Sequence, residues 1–277
     1  MTPGGPAYEV LAVRYAERET TLGDAYYRWP SYGEPDGPLT MSYYFWVLRD
    51  CRDPAAPPLV VDSGFEPERG TRMGRTCLCE PAAALHRLSI DPAAVKRVIV
   101  SHLHYDHIGN LGLFTGARFS VAERELAFWG ADPVAARPQF AVHTDPDGVA
   151  FLTRAADAGR VDALAGRAEI APGVVAVEVG GHSPGQLVLE IAGERGPVLL
   201  AGDAVHYFDE LRDGRPFGVF SDLAEMYRAY ELIAAGVQAG ATLVPGHDPL
   251  VMERFAPVDG DGLAVRILPA DYDTEET

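Results

Sequence analysis

Cysteine, basic residues and long apolar runs are all scarce in this chain of 277 residues. The three cysteines are Cys51, Cys77 and Cys79, and an odd number without a secretory signal argues against a disulfide framework. Lys and Arg total 23 against 40 Asp and Glu, and the net charge of −17 opposes binding to a phosphate backbone. No apolar run approaches the length of a membrane span, and the N-terminus lacks the pattern of a leader. The composition predicts a soluble, cytoplasmic protein that binds neither nucleic acid nor membrane.

The fold class follows from the alternation of two sequence patterns. Runs of β-branched and aromatic residues, such as Tyr43–Arg49, alternate with helical stretches, which predicts an α/β protein. One helix is expected to begin near Asp222 and to place Tyr227 and Tyr230 in the core. Neither a linker nor a shift in composition divides the chain, and 47% hydrophobic residues suffice for a substantial core. We therefore predict a single domain over residues 1–277.

Four short apolar strands each end in Gly or Ser followed by a potential metal ligand. They are KRVIVSH ending at His102, GVVAVEVGGH at His182, GPVLLAGD at Asp203 and ATLVPGH at His247. In open α/β sheets, functional groups collect in the loops beyond the carboxyl ends of strands. We therefore expect these four loops to converge from one sheet edge on one site.

The segment SHLHYDH adds further ligands. His102 and His104 are two residues apart, so an extended backbone points both side chains to the same side, which suits one metal. Asp106 and His107 follow where Gly109 permits a tight turn, so their side chains can diverge toward a second ion. Imidazole and carboxylate without thiolate suit zinc, and also iron, manganese or cobalt. Seven ligands exceed the four of a closed structural zinc, which favours a dinuclear catalytic site.

SHLHYDH with GHSPGQ, AGDAV and PGHD, in this order, resembles the metallo-β-lactamase superfamily over about residues 43–252. The resemblance implies an αββα sandwich with two divalent metal ions along one edge. It assigns the first ion to His102, His104 and His182, the second to Asp106, His107 and His247, and the bridging position to Asp203. VVDSG is similar to the family's Asp-Thr/Ser-Gly turn, so Asp62 either supports the ligands or simply ends a strand.

Details of the motifs indicate which branch of the superfamily this chain resembles. Asp203 differs from the cysteine or serine of true β-lactamases, His104 differs from the glutamate of flavodiiron relatives, and the net charge disfavours RNA-processing nucleases. The stretch Val98–Trp129 is most similar to N-acyl-homoserine lactonases and relatives such as 4-pyridoxolactonase. The lactonases carry a tyrosine three residues after the bridging aspartate, whereas this chain has His206 there with Tyr207 beside it.

The resemblance implies a hydrolase that opens a small lactone ring by attack of a metal-bridging hydroxide, with zinc as the first candidate metal. Asp106 is a candidate proton relay, and His206 or Tyr207 is the candidate donor to the oxyanion unless both only pack the strand end. One alternative is a related metallohydrolase that acts on a thioester or an acyclic ester, as glyoxalase II does. The other is a non-catalytic ligand-binding protein that retains the fold.

Two segments outside the motifs, residues 130–164 and 269–277, also have predicted roles. Residues 130–164 are rich in Pro, Ala and Asp and are predicted to form helices that cover the site. This cover is either merely solvated or contributes Phe140 and His143 to the substrate pocket. The acidic segment 269–277 is predicted to be a solvated tail. The sequence does not indicate the oligomeric state.

Overall fold

The computed structural model describes residues 7–258, 260 and 262–268, so the predicted acidic tail at 269–277 lies outside the described residues. Within them the strands are β1 (Tyr8–Thr21), β2 (Pro38–Asp50), β3 (Leu59–Val61), β4 (Thr76–Cys77), β5 (Arg97–Val100), β6 (Arg118–Ala122), β7 (Val161–Leu164), β8 (Arg167–Ala171), β9 (Val174–Glu178), β10 (Leu187–Gly193), β11 (Gly196–Gly202), β12 (Thr242–Pro245), β13 (Ala256–Pro257) and β14 (Ala264–Ile267). The α-helices are α1 (Leu22–Ala25), α2 (Pro67–Arg72), α3 (Pro81–Arg87), α4 (Tyr105–Ile108), α5 (Glu123–Ala131), α6 (Pro138–Ala141), α7 (Pro146–Asp157), α8 (Phe208–Asp213), α9 (Leu223–Gln238) and α10 (Leu250–Arg254). Short 3₁₀ turns lie at Trp29–Tyr32, Pro92–Ala94, Leu111–Leu113 and Pro133–Ala136. Across this part of the chain, every helix is too short or too polar to cross a bilayer.

The strands form two halves of one ladder. The first half has the order β14-β1-β2-β3-β5-β6-β7, and the second has the order β8-β9-β10-β11-β12. The halves are joined where Tyr8 of β1 pairs with Gly193 of β10. Helix α9 contacts β11 and β12, whereas α5 and α7 contact β6 and β7. Each half therefore carries its own helices.

Alternation of side chains along the strands separates two core clusters. On β2, Tyr44 and Trp46 join a cluster that unites side chains of both sheet halves, including Leu189 of β10. Their neighbours Tyr43 and Phe45 join a second cluster that contains the buried faces of the helices. Since successive side chains of a strand point to opposite faces, one face of each half packs on the other half and the opposite face packs on helices. This layering confirms the predicted αββα sandwich.

Helix α9 begins as its sequence predicts. Asp222 caps it, and its carboxylate accepts a hydrogen bond from the backbone N–H of Glu225 at 2.9 Å. Tyr230 is buried as expected, but Tyr227 is 41% exposed, so its placement in the core was wrong. The buried stripe follows a spacing of three and four residues, Met226, Ala229, Tyr230 and Ile233, which leaves the position after Met226 at the solvent edge.

Candidate metal centre

The four predicted strand ends meet at one edge of the sandwich. His102 follows β5 in the first sheet half, whereas His182, Asp203 and His247 follow β9, β11 and β12 in the second half. The latter three strands run in the same direction, because β9 and β11 each pair antiparallel with β10 and β12 pairs parallel with β11. The ligands therefore come from both halves of the sandwich, and the expectation of a single sheet edge was wrong.

The seven predicted ligands form two adjoining groups. The side chains of His102, His104 and His182 converge in one group, in which Nε2 of His182 lies 2.8 Å from Nδ1 of His104. Asp106, His107, Asp203 and His247 converge in the other. Asp203 lies between the groups, since its Oδ2 is 3.0 Å from Nε2 of His247 and 3.4 Å from Nε2 of His182.

The polar atoms at the centre of these groups fit bound cations. Among the described side chains, Nε2 of His102, Nε2 of His107 and Oδ1 of Asp203 are buried without a hydrogen-bond partner. Each such atom costs roughly 1–3 kcal/mol when it stays unpaired, so a protein rarely gathers several at one place without a ligand. A nitrogen- and oxygen-lined centre of this kind suits divalent metal ions.

Burial keeps the first group in the form that binds metal. Burial, reinforced by the neighbouring imidazoles, holds the pKa of His102 and His104 well below the ordinary value. Burial likewise lowers the pKa of His182 to about 3. Burial opposes ionisation of Asp203, but the facing His247 and His107 keep its pKa well below normal. The first group therefore presents neutral imidazoles and Asp203 an ionised carboxylate, which are the protonation states of metal ligands. In the second group, burial opposes protonation of His107 and His247, but the carboxylates of Asp203 and Asp106 raise the pKa of both.

Asp62 orients one of the candidate ligands, His107. Its carboxylate accepts hydrogen bonds from the backbone N–H and hydroxyl of Ser101, each at 2.7 Å, and lies 2.7 Å from Nδ1 of His107. Its backbone adopts φ +63°, a conformation that aspartate tolerates better than most residues. This pairing turns Nε2 of His107 toward the ligand group, as a carboxylate behind a metal-binding histidine does. The geometry favours the supporting role over a plain strand-ending turn.

Gly109 has a different role from the predicted one. Its φ of −68° is ordinary helical backbone, so the tight turn expected after His107 does not explain the glycine. A Cβ at this position would lie 2.8 Å from Cα of Phe65, and the Gly109 N–H donates to the carbonyl of Gly64 at 2.8 Å. The glycine is needed because two backbone segments approach closely behind the ligands.

Glu125 was not predicted, although it ties two ligand loops together. This fully buried carboxylate accepts hydrogen bonds from the backbone N–H of Leu103 and of Gly185, and from the side chains of Trp129 and Ser183. Leu103 lies between two histidine ligands, and Ser183 follows a third. Glu125 therefore fixes the spacing of the loops.

His206 and Tyr207 point to different places. Both ring nitrogens of His206 are buried without a hydrogen-bond partner, and its Nε2 lies 3.5 Å from Oδ2 of Asp203. The His206 ring stacks on Phe217 with centroids 3.8 Å apart. Tyr207 instead packs beside Tyr26, and its hydroxyl donates to the carbonyl of Thr40 at 3.4 Å. The structure thus brings His206 to the ligands and leaves Tyr207 in the core.

Glu210 holds the backbone of the same segment. Its carboxylate accepts hydrogen bonds from the N–H groups of His206 and Tyr207 at 2.9 and 3.0 Å, and from the Tyr230 hydroxyl at 2.6 Å. Burial nevertheless raises the pKa of Glu210 to about 8. The folded protein therefore holds a proton here that the unfolded chain, with an ordinary value of 4.5, releases.

A pH dependence of stability follows from this raised pKa. The folded state binds more protons between about pH 5 and pH 8, so this group's contribution to stability falls as pH rises through that window. We expect Glu210→Gln to reduce the decline in unfolding free energy over the window by about 4 kcal/mol. Chemical denaturation at pH 5 and pH 8 measures this, with the exposed Glu231→Gln as the control. The same decline in Glu210→Gln and in the unmodified protein would contradict it.

A cavity of about 170 Å³ opens beside the ligands, and its wall includes Asp106, Asp203 and His206. A neighbouring cavity of about 210 Å³ is lined by Phe140 and His143. The segment 130–164 contains the predicted helices as α6 and α7, but its end was predicted wrongly, since Val161–Leu164 is strand β7 and pairs with β6. The segment contacts the loop of His104, because the Tyr105 N–H donates to the carbonyl of His143 at 2.8 Å. The two residues named for the substrate pocket therefore do line a cavity next to the ligands.

Comparisons with known proteins agree with this architecture. The family model for the metallo-β-lactamase superfamily matches residues 46–247. The N-acyl homoserine lactonase AttM of Azorhizobium caulinodans is 31% identical over 185 residues, which cover 64% of this chain and 67% of that protein. A crystal structure of a quorum-quenching N-acyl homoserine lactone lactonase superposes with a TM-score of 0.68 at 21% identity, over 88% of this chain and 93% of that one. The structure of AidC, a dizinc quorum-quenching lactonase with bound product, superposes with a TM-score of 0.66 at 14% identity, over 88% and 91%. The predicted resemblance is confirmed, and this chain belongs to the metallo-β-lactamase superfamily.

Proposed function

We propose that this protein is a metal-dependent hydrolase that opens a small lactone ring at a dinuclear centre. The observation that carries the proposal is the convergence of seven buried imidazole and carboxylate side chains in two adjoining groups, with Asp203 between the groups, beside an open cavity. The similarity to N-acyl homoserine lactonases supports a lactone as the substrate class.

The ligand groups suggest how two ions would be held. His102, His104 and His182 would hold the first, Asp106, His107 and His247 would hold the second, and Asp203 would contact both. A pair of divalent cations, when bound, lowers the pKa of water toward roughly 7 and polarises an ester carbonyl. The donor set suits zinc first and also iron, manganese or cobalt.

The chain's own residues would position the ester and move the proton. Asp106 and His206 share the cavity wall, so each can contact a substrate whose carbonyl lies at the ligands. An imidazole N–H of His206 can donate to the oxygen that gains negative charge. Asp106 can accept a proton from attacking water and pass it on. Tyr207 lies outside this cavity wall among the described residues, which favours His206 as the donor.

A substrate panel combined with metal analysis tests the proposal. We expect about two metal ions per chain and values of kcat/KM that fall from lactone to acyclic ester to thioester, with phosphodiesters poor. The cavity of about 170 Å³ suits a small ring, and nitrogen and oxygen donors select ions that prefer oxygen over sulfur. A higher kcat/KM for thioesters would favour the glyoxalase II-like alternative. Loaded protein that turns over no compound of the panel would favour a non-catalytic binding role.

A further inference from the structure

Two arginines, Arg18 and Arg75, lie in the wall of the cavity. Strand β4 pairs antiparallel with β1, with Ala16 opposite Cys77 and Glu17 opposite Thr76. Arg18 directly follows Glu17 and Arg75 directly precedes Thr76, and both side chains line the cavity beside the candidate ligands. Two like charges in one cavity wall repel each other, so an anion bound between them would be stabilising.

Among the described residues, neither guanidinium forms an ion pair with a carboxylate at salt-bridge distance, although Asp106 in the same cavity wall helps to raise the pKa of Arg75. Arg18 donates to the hydroxyl of Thr20 at 2.9 Å, and Arg75 donates to the hydroxyl of Tyr105 at 3.1 Å and to the carbonyl of Met73. Other arginines of this acidic protein do form ion pairs, for example those of β2, β5 and β6 with nearby acidic side chains. The guanidinium pair in the cavity is therefore available to an external anion.

The surroundings hold the pair in place. The Arg75 guanidinium lies 5.9 Å from the ring centroid of Tyr43 and 6.0 Å from that of Tyr105, which are cation–π distances. Arg18 is anchored in the long strand β1, opposite Met41 of β2, which also lines the cavity. A planar guanidinium fixed in this way matches the two oxygens of a carboxylate.

We propose that Arg18 and Arg75 form an anion subsite that binds a carboxylate on the substrate, so that the enzyme selects lactones carrying a carboxylate. The inference rests on the proposed function and refines its substrate class. The same cavity reaches Asp203 and His247, so one small molecule can place its ester at the ligands and its carboxylate at the arginines. A neutral lactone would leave the two guanidinium groups without an anion.

Steady-state kinetics with a γ-lactone that carries a ring carboxylate, and with its neutral carboxamide, test the subsite. We expect a lower KM for the carboxylate, and we expect Arg75→Gln and Arg18→Gln each to raise that KM about 10- to 100-fold with kcat changed much less. The KM for the carboxamide should change less than about threefold. Arg72→Gln, an exposed arginine of α2, is the matched control and should behave as the unmodified enzyme. Equal KM values for the two lactones would overturn the proposal.

A binding measurement separates failure of the subsite from failure of the hydrolase assignment. The metal-loaded protein is titrated by calorimetry with the corresponding γ-lactam carboxylate and with the γ-lactam carboxamide, neither of which requires turnover. Tighter binding of the carboxylate that is lost in both arginine variants supports the subsite, even if no lactone is hydrolysed. Equal affinity for the two lactams overturns it, even if neutral lactones are hydrolysed well.

Discussion

Asp203→Ala is expected to lower kcat by about 10³-fold and to reduce the metal content from about two ions per chain to one or fewer. The Asp203 carboxylate lies within 3.0 Å of His247 and 3.4 Å of His182, which belong to different ligand groups, so its loss removes the contact common to both proposed ions. A rate loss of this size corresponds to the several kcal/mol that metal ions contribute to transition-state stabilisation.

Elemental analysis and steady-state kinetics on the same preparation measure both effects. The exposed Asp157→Ala, on α7, is the matched control and should keep the metal content and the rate. Thermal unfolding of each variant shows whether the chain is still folded. Folded Asp203→Ala protein with two ions and an unchanged kcat would rule out the bridging role.

His206→Phe is expected to lower kcat by about 10²- to 10³-fold, whereas Tyr207→Phe should change it less than about threefold. Phenylalanine keeps the stacking on Phe217 but removes the two ring nitrogens, and Nε2 of His206 lies 3.5 Å from Asp203. The Tyr207 hydroxyl makes a long hydrogen bond of 3.4 Å to a carbonyl in the core, so its removal should cost little.

Metal analysis decides how His206 acts. Retained metal with a reduced kcat fits a proton donor, whereas loss of metal would make His206 an additional ligand. A larger loss of kcat in Tyr207→Phe than in His206→Phe would reverse the assignment of the donor.

The convergence of the candidate ligands could be predicted because their positions depend on local sequence. Each of His102, His182, Asp203 and His247 follows a short apolar strand, and the carboxyl end of a strand is where a sheet exposes functional groups. The same alternation of apolar residues that marks the strands also assigns their two faces. The family resemblance supplied the αββα layering, and the comparisons confirm it.

The residues that sequence reasoning missed depend on contacts between distant segments. In the sequence, Glu125 looks like an ordinary exposed carboxylate on an amphipathic helix. Only the folded structure shows that it is buried and accepts hydrogen bonds from several donors. Arg18 and Arg75 become neighbours through a short strand pairing that has no local signature. For Tyr227 the error was of another kind. The predicted buried stripe of helix α9 was one position too wide, so it included a residue that lies at the solvent edge. The single domain over 1–277 and the roles of the site residues stay predictions.

The supply of candidate ligands from both sheet halves would give bound metal ions a mechanical role. Apart from their packed faces, the described parts of the two halves share one strand pairing, that of Tyr8 in β1 with Gly193 in β10. Ions that bind only when the two halves are docked stabilise the docked arrangement by mass action. The centre would then act as a coordinate cross-link, closing a loop that spans much of the chain from His102 to His247. Because the chain has too few cysteines for a disulfide framework, bound metal ions would take over that role and would stabilise the packing of the two halves reversibly.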